Sequence, residues 1–281
     1  MLEYTESGEG RPLVFVHGLV LHGGFWRKLV PLLEDSYRCI VPTLPLGSHS
    51  KPQPADADLT PTGIADLLAD FIAELDLDDV VLVGNDTGGA ICQILVTRRP
   101  ERIGALVLTP CDAFEHFLPW QFKGLQLLPR IPGATAATAK ALGSARLRRG
   151  PLGFGLLAKH GIPDDVTAGY VEPLRRDPEV RRDLDKALKG IDKRYTIEAA
   201  KLLPRFDKPT LIVWAREEKV FPEEDARKLA QRLPDSRLEF LDDCWTYIPE
   251  DQPEKLAALI REFVSAPASR EAQPGASAPR S

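Results

Sequence analysis

Short runs of apolar residues alternate with longer segments of helical period along most of the chain. Six runs are rich in Val, Leu and Ile, which is typical of strands in a sheet that is buried on both faces. They cover residues 12–18, 37–42, 79–84, 104–109, 209–215 and 236–241. The alternation predicts an α/β fold with a doubly wound, mostly parallel sheet.

The segments between the strands have apolar residues at helical spacing. Five of them are predicted to be helices, at residues 25–34, 60–76, 91–99, 223–234 and 253–264. Thr60 comes directly before Pro61, which indicates a helix N-cap followed by proline in the first turn.

The alternation stops between residues 111 and 203, where the chain is helical and irregular and rich in Arg, Gly, Pro and Leu. Because strand–helix units lie on both sides, we interpret residues 111–203 as a helical lid inserted into a core of residues 1–110 and 204–265. Residues 266–281 are rich in Ala, Pro and Ser without an apolar period, and are predicted to be disordered.

Composition and charge limit the function. The chain has 281 residues, 43 % of them hydrophobic, and a net charge of −5, so we expect no nucleic-acid or anionic-membrane partner. The basic run at residues 145–150 is interpreted as a solvated helix end. No run is long enough to span a bilayer and no secretory signal is recognisable, which predicts a cytoplasmic protein. We expect a small-molecule substrate and a monomer or homodimer.

The cysteines and histidines do not indicate a metal site. Four cysteines are scattered without C-x-x-C spacing, and five histidines lie far apart in the sequence. This pattern predicts reduced, mostly buried thiols, no metal and no organic cofactor.

One turn concentrates the candidate chemistry. The sequence "GNDTG", residues 84–88, places Asp86 between a buried strand and a buried helix. Flanking glycines allow a tight turn, and the positive end of the following helix favours an anion.

This turn resembles the nucleophile elbow of the α/β-hydrolase fold. With Asp at its centre, the chain is similar to the branch that contains haloalkane dehalogenases and epoxide hydrolases. The resemblance implies that Asp86 attacks carbon and forms an ester that water then cleaves. The run "FVHGL" resembles the oxyanion loop, which implies an oxyanion hole of the Leu19 and Thr87 N–H groups, with His17 shaping the loop.

Two further segments match the family, one of them with a departure. The loop "WAREEKVFP" resembles the acid loop and places Glu218 on the acid. The family closes its triad with Gly-His, seven residues before a proline. Here Pro253 lies seven residues after Thr246, so Thr246 stands in the place of the His and Trp245 in that of the Gly.

Without that His, three interpretations remain open. In the first, a hydrolase activates water with another group, for which the candidates are His22, Asp112, Glu115 and His116. Asp112 alternatively caps a helix over residues 113–117. In the second, Asp86 is the general acid or base of a non-hydrolytic lyase, isomerase or cyclase. In the third, the chain is a catalytically inactive ligand-binding protein.

Hydrolysis of a small apolar substrate is the leading interpretation, because the chemistry of this fold is mostly hydrolytic. The catalytic residues are then Asp86, Glu218 and Asp112. Predicted substrate contacts are His22, His116, Trp120, Tyr195, Trp245 and Thr246.

The remaining expectations concern two lid tyrosines, two aromatic residues beside Thr246 and the first strand. Tyr170 and Tyr195 are candidates for protonating an epoxide oxygen, as lid tyrosines do in epoxide hydrolases. Trp245 and Tyr247 fill the space left by the missing Gly-His corner and can stack on a substrate. Because only "LEYTESGEG" precedes "RPLVFV", whereas the family usually has two strands before the His-Gly loop, we expect either that the first strand is missing or that the true start lies upstream.

Overall fold

A computed structural model describes residues 1–266. The predicted disordered tail, apart from Ala266, lies outside these residues. Seven strands form one sheet: β1 (Glu3–Ser7), β2 (Pro12–Val16), β3 (Arg38–Thr43), β4 (Val80–Asp86), β5 (Ile103–Cys111), β6 (Thr210–Ala215) and β7 (Ser236–Leu241).

The sheet order is β1-β3-β2-β4-β5-β6-β7. Only β1 runs antiparallel to its neighbour, β3, and all other pairs are parallel. The predicted doubly wound, mostly parallel α/β sheet is therefore confirmed. Strands β2, β4, β5 and β6 are almost wholly buried, as expected for strands covered on both faces.

The expectation of a missing first strand is wrong. Residues Glu3–Ser7 pair with Thr43–Cys39 along the full length of β1. Three of the five residues of β1 are exposed, so an edge strand forms here without an apolar run that the sequence pattern would reveal.

Ten α-helices accompany the sheet in the described residues: α1 (Pro61–Glu74), α2 (Thr87–Arg98), α3 (Ala134–Ala141), α4 (Ala145–Arg148), α5 (Asp164–Arg176), α6 (Pro178–Gly190), α7 (Lys193–Leu202), α8 (Glu223–Arg232), α9 (Ile248–Asp251) and α10 (Pro253–Ser265). The predicted cap of α1 is present, since Thr60 Oγ1 accepts a hydrogen bond of 3.2 Å from Gly63 N–H.

The predicted helix at residues 25–34 does not form as one element. Two short 3₁₀ helices, Gly23–Trp26 and Val30–Leu32, take its place. Pro31 has no N–H and cannot make the hydrogen bond that would continue an α-helix through this segment.

Between Cys111 and Leu203 the chain contains only helices, turns and one isolated bridge, which joins Ala113 to His116. Helices α3 to α7 lie in this segment. A second apolar cluster, which includes Leu118, Leu174 and Leu184, packs here beside the main core. In the described part of the chain, no helix has the length and apolarity needed to cross a bilayer. All four cysteines are free and buried.

Candidate functional site

Asp86 occupies a strained turn between β4 and α2. Its backbone has φ 56° and ψ −136°, a region that side chains other than glycine rarely adopt and that is found mostly at functional sites. Neighbouring glycines make the turn possible. A Cβ atom on Gly88 would lie 2.2 Å from the Val16 carbonyl oxygen, and one on Gly18 would lie 2.6 Å from Asp86 Cβ.

The Asp86 carboxylate caps the helix that follows it. Its Oδ1 accepts a hydrogen bond of 2.5 Å from Thr87 N–H. The side chain also borders an apolar cavity. Burial raises the pKa of Asp86 to about 6, because an apolar environment disfavours the charged form.

The cavity has a volume of about 90 Å³ and lies between the sheet and the inserted segment. The core contributes Leu19, Phe221 and Tyr247, and the inserted segment contributes Phe122 and Leu157, among others. A carboxylate at the wall of an apolar cavity is placed to meet a small, poorly polar molecule.

Asp112 is a second carboxylate close to the elbow, and it is completely buried. Its Oδ2 accepts a hydrogen bond of 3.0 Å from Thr87 Oγ1, and its Oδ1 accepts one of 2.9 Å from Leu118 N–H. Burial, together with the charge of Asp86, raises the pKa of Asp112 well above its usual value. No helix forms at residues 113–117, so the predicted helix cap is wrong. The carboxylate holds a loop instead.

Glu218 and Thr246 form a pair on the loops after β6 and β7. Thr246 Oγ1 donates a hydrogen bond of 2.6 Å to Glu218 Oε1, which also accepts from the N–H groups of Lys219, Val220 and Phe221. Glu218 Oε2 is buried and has no partner within residues 1–266. Burial raises the pKa of Glu218.

Comparison with known proteins identifies the family of this chain. Residues 11–251 match the family model of the alpha/beta hydrolase fold. The chain belongs to this family. It is 30 % identical, over 94 % of its length and 85 % of the relative, to a cis-3-alkyl-4-alkyloxetan-2-one decarboxylase of Shewanella oneidensis. It is 24 % identical to haloalkane dehalogenase 2 of Mycobacterium tuberculosis, over 93 % of this chain and 90 % of that one.

A solved structure shares the fold of this alpha/beta hydrolase. The epoxide hydrolase CorEH superposes with a TM-score of 0.78 at 18 % identity, covering 93 % of this chain and 94 % of that one. The predictions of the fold and of an enzyme of this superfamily are confirmed.

The elbow of this hydrolase is tied to its other loops by a residue that the sequence analysis did not single out. Asn85 Nδ2 donates hydrogen bonds to Thr109 Oγ1 at 2.9 Å, to the Pro110 carbonyl at 3.2 Å and to the Thr246 carbonyl at 2.9 Å. The available signal was an amide side chain in an otherwise apolar strand.

The two N–H groups predicted to form the oxyanion hole have different surroundings. Leu19 borders the cavity, whereas the Thr87 N–H donates to Asp86 itself. His17 shapes the loop, because its Nε2 accepts from Leu44 N–H at 2.9 Å and its Nδ1 contacts the Gly18 carbonyl at 2.9 Å. Burial lowers the pKa of His17 to about 4, so the ring is neutral at physiological pH.

The other candidate histidines lie away from Asp86. His22 Nδ1 accepts from Gly24 N–H at 3.0 Å, and its ring packs on Tyr170. His116 Nδ1 lies 2.6 Å from Asp225 Oδ2 on a different groove. None of the five histidines, all of which the structure describes, borders the cavity.

The aromatic candidates are also separated from Asp86. Trp120 is 78 % exposed. Trp245 packs under Lys219, whose Nζ lies 3.5 Å from the ring centroid, and Tyr195 contacts Arg194. Tyr170 is buried among other aromatic rings. None of these four side chains borders the cavity, so the structure does not bring the predicted aromatic contacts to it.

Tyr247 is the tyrosine that borders the cavity. Its ring is buried and meets Phe25 edge-on at 4.8 Å, while its hydroxyl makes no hydrogen bond to any described residue. Burial and the charge of Asp86 raise its pKa well above the usual value, so the hydroxyl keeps its proton. In the described residues, no cluster of three or more His, Cys, Asp or Glu side chains is arranged for a metal ion.

Proposed function

We propose that this enzyme uses the Asp86 carboxylate to attack a carbon atom of a small, largely apolar substrate. The observation that carries the proposal is the position of the carboxylate, on a strained elbow and at the wall of an apolar cavity of about 90 Å³. Cavities for drug-sized ligands are several times larger, roughly 300 Å³ or more. A short substrate, or one end of an alkyl chain, fits this volume better.

An epoxide is the leading substrate class. Its ring oxygen needs a hydrogen-bond donor as the ring opens, and the protonated Tyr247 hydroxyl borders the same cavity as Asp86. A departing halide needs donors that dehalogenases often supply from a Trp directly after the nucleophile. Thr87 occupies that position here, which favours an oxygen ring over a halide.

In the first step, an Asp86 oxygen forms a bond to a ring carbon while that carbon's bond to the ring oxygen breaks. Tyr247 donates its proton to the released oxygen. An ester of Asp86 results. In the second step, water adds to the ester carbonyl and loses a proton to solvent, and the Leu19 N–H stabilises the oxyanion. The bond between this carbonyl carbon and the substrate oxygen then breaks, the second proton of the added water passes to that oxygen, and the diol leaves the Asp86 carboxylate. Tyr247 regains its proton from solvent.

Activation of water is the step of this hydrolysis for which the site provides no histidine base. A Thr hydroxyl does not accept a proton near neutral pH, and general base catalysis contributes about 10²–10⁴-fold. Thr246 hydrogen-bonds Glu218 but cannot replace an imidazole base. We therefore propose that ester hydrolysis is slower than ester formation.

The absence of a histidine at the cavity favours a second candidate that needs no water. A β-lactone, the substrate class in the name of the 30 % identical relative, decomposes to an alkene and carbon dioxide. Asp86 attacks the saturated ring carbon that is bonded to the ring oxygen. The bond between this carbon and the ring oxygen breaks, which releases a carboxylate. Loss of carbon dioxide then forms the double bond and expels Asp86. No proton or water is consumed.

Product analysis in ¹⁸O-labelled water, combined with intact-mass measurement, tests both candidates. With an epoxide, we expect an Asp86 adduct that accumulates and a diol that forms slowly. With a cis-dialkyl β-lactone, the alternative predicts an alkene and carbon dioxide without label uptake into the alkene. The Asp86→Asn variant should form neither adduct nor product. If the wild-type protein binds both ligands without adduct or product, it is a ligand-binding protein and the proposal is wrong.

A further inference from the structure

Charge is distributed very unevenly along this chain. Residues 116–163 contain no Asp or Glu, so all 41 acidic residues lie elsewhere, together with 29 of the 36 cations. The seven cations of this stretch are Lys123, Arg130, Lys140, Arg146, Arg148, Arg149 and Lys159. A chain of net charge −5 therefore carries one strongly cationic segment.

Four of these cations are free to meet a partner. Lys123, Arg130, Lys140 and Arg146 are exposed, and their side chains form no ion pair or hydrogen bond with any of residues 1–266. The remaining three are engaged: Arg148 is buried and hydrogen-bonded, while Arg149 pairs with Asp164 and Lys159 with Glu217.

Large apolar side chains are exposed on the same segment. It holds five of the seven large apolar residues that are exposed in the described part of the chain: Trp120, Leu127, Ile131, Leu147 and Leu152, which are between 50 % and 80 % exposed. Exposed apolar side chains and unpaired cations in the same stretch of chain are typical of an interaction surface rather than of ordinary solvated lid helices.

This surface adjoins the cavity of Asp86. Leu152 is 80 % exposed and borders the cavity, so it lies at the opening. Pro119, which precedes Trp120, and Phe122, which precedes Lys123, border the cavity as well. The same segment thus contributes both to the cavity wall and to the exposed apolar and cationic side chains.

We propose that residues 117–163, the lid surface, dock on an anionic lipid bilayer and admit apolar substrate from it to the cavity. Cations attract acidic headgroups, while Trp and Leu side chains enter the boundary between headgroups and acyl chains. A second copy of the chain fits less well, because symmetric contact would oppose unpaired cations. A nucleic acid would neutralise the cations but leave the apolar side chains in water. The inference goes beyond the proposed function, since docking needs no chemistry at Asp86.

Sedimentation of the full chain with lipid vesicles tests this inference. We expect binding to phosphatidylcholine vesicles that contain phosphatidylglycerol, weaker binding at higher salt, and little binding to phosphatidylcholine alone. Tryptophan emission should shift to the blue on binding, because Trp120 leaves water. Trp26 and Trp214 are already buried, and the Trp120→Phe variant should lose most of the shift.

Two surface variants and one control separate the contributions of the cations and of the apolar side chains to vesicle binding. The charge variant, Lys123→Gln, Arg130→Gln, Lys140→Gln and Arg146→Gln, should bind anionic vesicles at least about 10²-fold more weakly. The apolar variant, Leu127→Ser with Ile131→Ser, should also bind more weakly. A matched control replaces four exposed cations elsewhere with Gln: Lys201, Arg205, Lys208 and Lys255. It should bind as the wild type does.

Three results would overturn the inference. They are no binding to anionic vesicles, equal weakening in the charge variant and the control, and a homodimer that the apolar variant dissociates. Circular dichroism checks that each variant is folded. Because vesicle binding is measured without turnover, it can fail while the proposed chemistry holds, and it can succeed if that chemistry is wrong.

Discussion

At the residue scale, two opposing effects set the pKa of Asp86. The Thr87 amide stabilises its charged form, while the apolar cavity disfavours it, and burial prevails in setting a pKa of about 6. Near neutral pH most of the molecules therefore carry an ionised Asp86 carboxylate. A carboxylate with a raised pKa is also more basic and more nucleophilic than an exposed one.

The pH dependence of the reaction should reveal this carboxylate. Because the proposed attack requires the ionised form, kcat/KM should increase as the pH rises through about 6 and reach a plateau above pH 7. Steady-state kinetics between pH 5 and 8 measure this. The Asp86→Asn variant should lose at least about 10³-fold in kcat/KM. A profile that is flat over this range would contradict a nucleophile with this pKa.

Thr246 is the second position at which, on the proposed function, one side chain decides the chemistry. Thr246→His introduces an imidazole that can hydrogen-bond Glu218, as Thr246 Oγ1 does at 2.6 Å. If hydrolysis of the Asp86 ester limits turnover, kcat for an epoxide should rise by about 10²–10⁴-fold and the adduct should no longer accumulate. Thr246→Ser, which keeps the hydroxyl, is the matched control. No gain in kcat in a folded variant would indicate that water activation does not limit the reaction.

At the scale of elements, the inserted segment is attached to the core through buried polar contacts. Asp183 of α6 is completely buried, and its Oδ2 lies 3.1 Å from His49 Nε2 and accepts from Gln53 N–H at 2.7 Å. Ser48 Oγ donates a hydrogen bond of 2.5 Å to the Tyr170 carbonyl in α5. The loop after β3 therefore holds two helices of the inserted segment.

Removal of the Asp183 carboxylate should loosen this attachment selectively. Asp183→Ala leaves His49 Nε2 and the Gln53 N–H without a partner, and we expect a loss of about 2–3 kcal/mol in the free energy of unfolding. Hydrogen exchange should become faster in α6 and in residues 44–53 than in β4 or β5. Glu179→Ala, on the exposed side of the same helix, is the control. Uniformly faster exchange across the sheet would contradict a local role.

At the scale of the whole molecule, buried neutral histidine links stability to pH. His17 has a pKa of about 4 in the folded protein, against 6.5 when it is exposed. As the pH falls below 6.5, the unfolded chain binds a proton at this ring and the folded chain does not. The folded state consequently loses stability relative to the unfolded state between pH 6.5 and 4.

Replacing His17 by Asn should remove this part of the pH dependence. Between pH 7.5 and pH 5, the free energy of unfolding of the wild type should fall by about 2 kcal/mol more than that of His17→Asn. Urea unfolding at the two pH values measures the difference. The raised pKa values of Asp86 and Asp112 act in the opposite direction in both proteins and cancel in the comparison. Equal changes in the two proteins would contradict the prediction.

The sequence alone determined the sheet and the tight turn at Asp86, while Thr246 in the place of the family His stays a prediction. Apolar strands buried on both faces leave a continuous Val, Leu and Ile signal, and the cap of α1 is a contact between residues three apart. The glycines around Asp86 follow from one local backbone conformation. Edge strand β1, with three exposed residues of five, gave no such signal.

Only the tertiary structure decided which side chains share the cavity of Asp86. Tyr247 and Leu157 reach it, while His22, His116 and Trp120 do not. It also showed that the basic run at residues 145–150 lies in a larger segment of exposed cations and apolar side chains. These features depend on contacts between residues far apart in the chain and on which face of each helix in the inserted segment is buried. Local patterns and total charge contain neither kind of information.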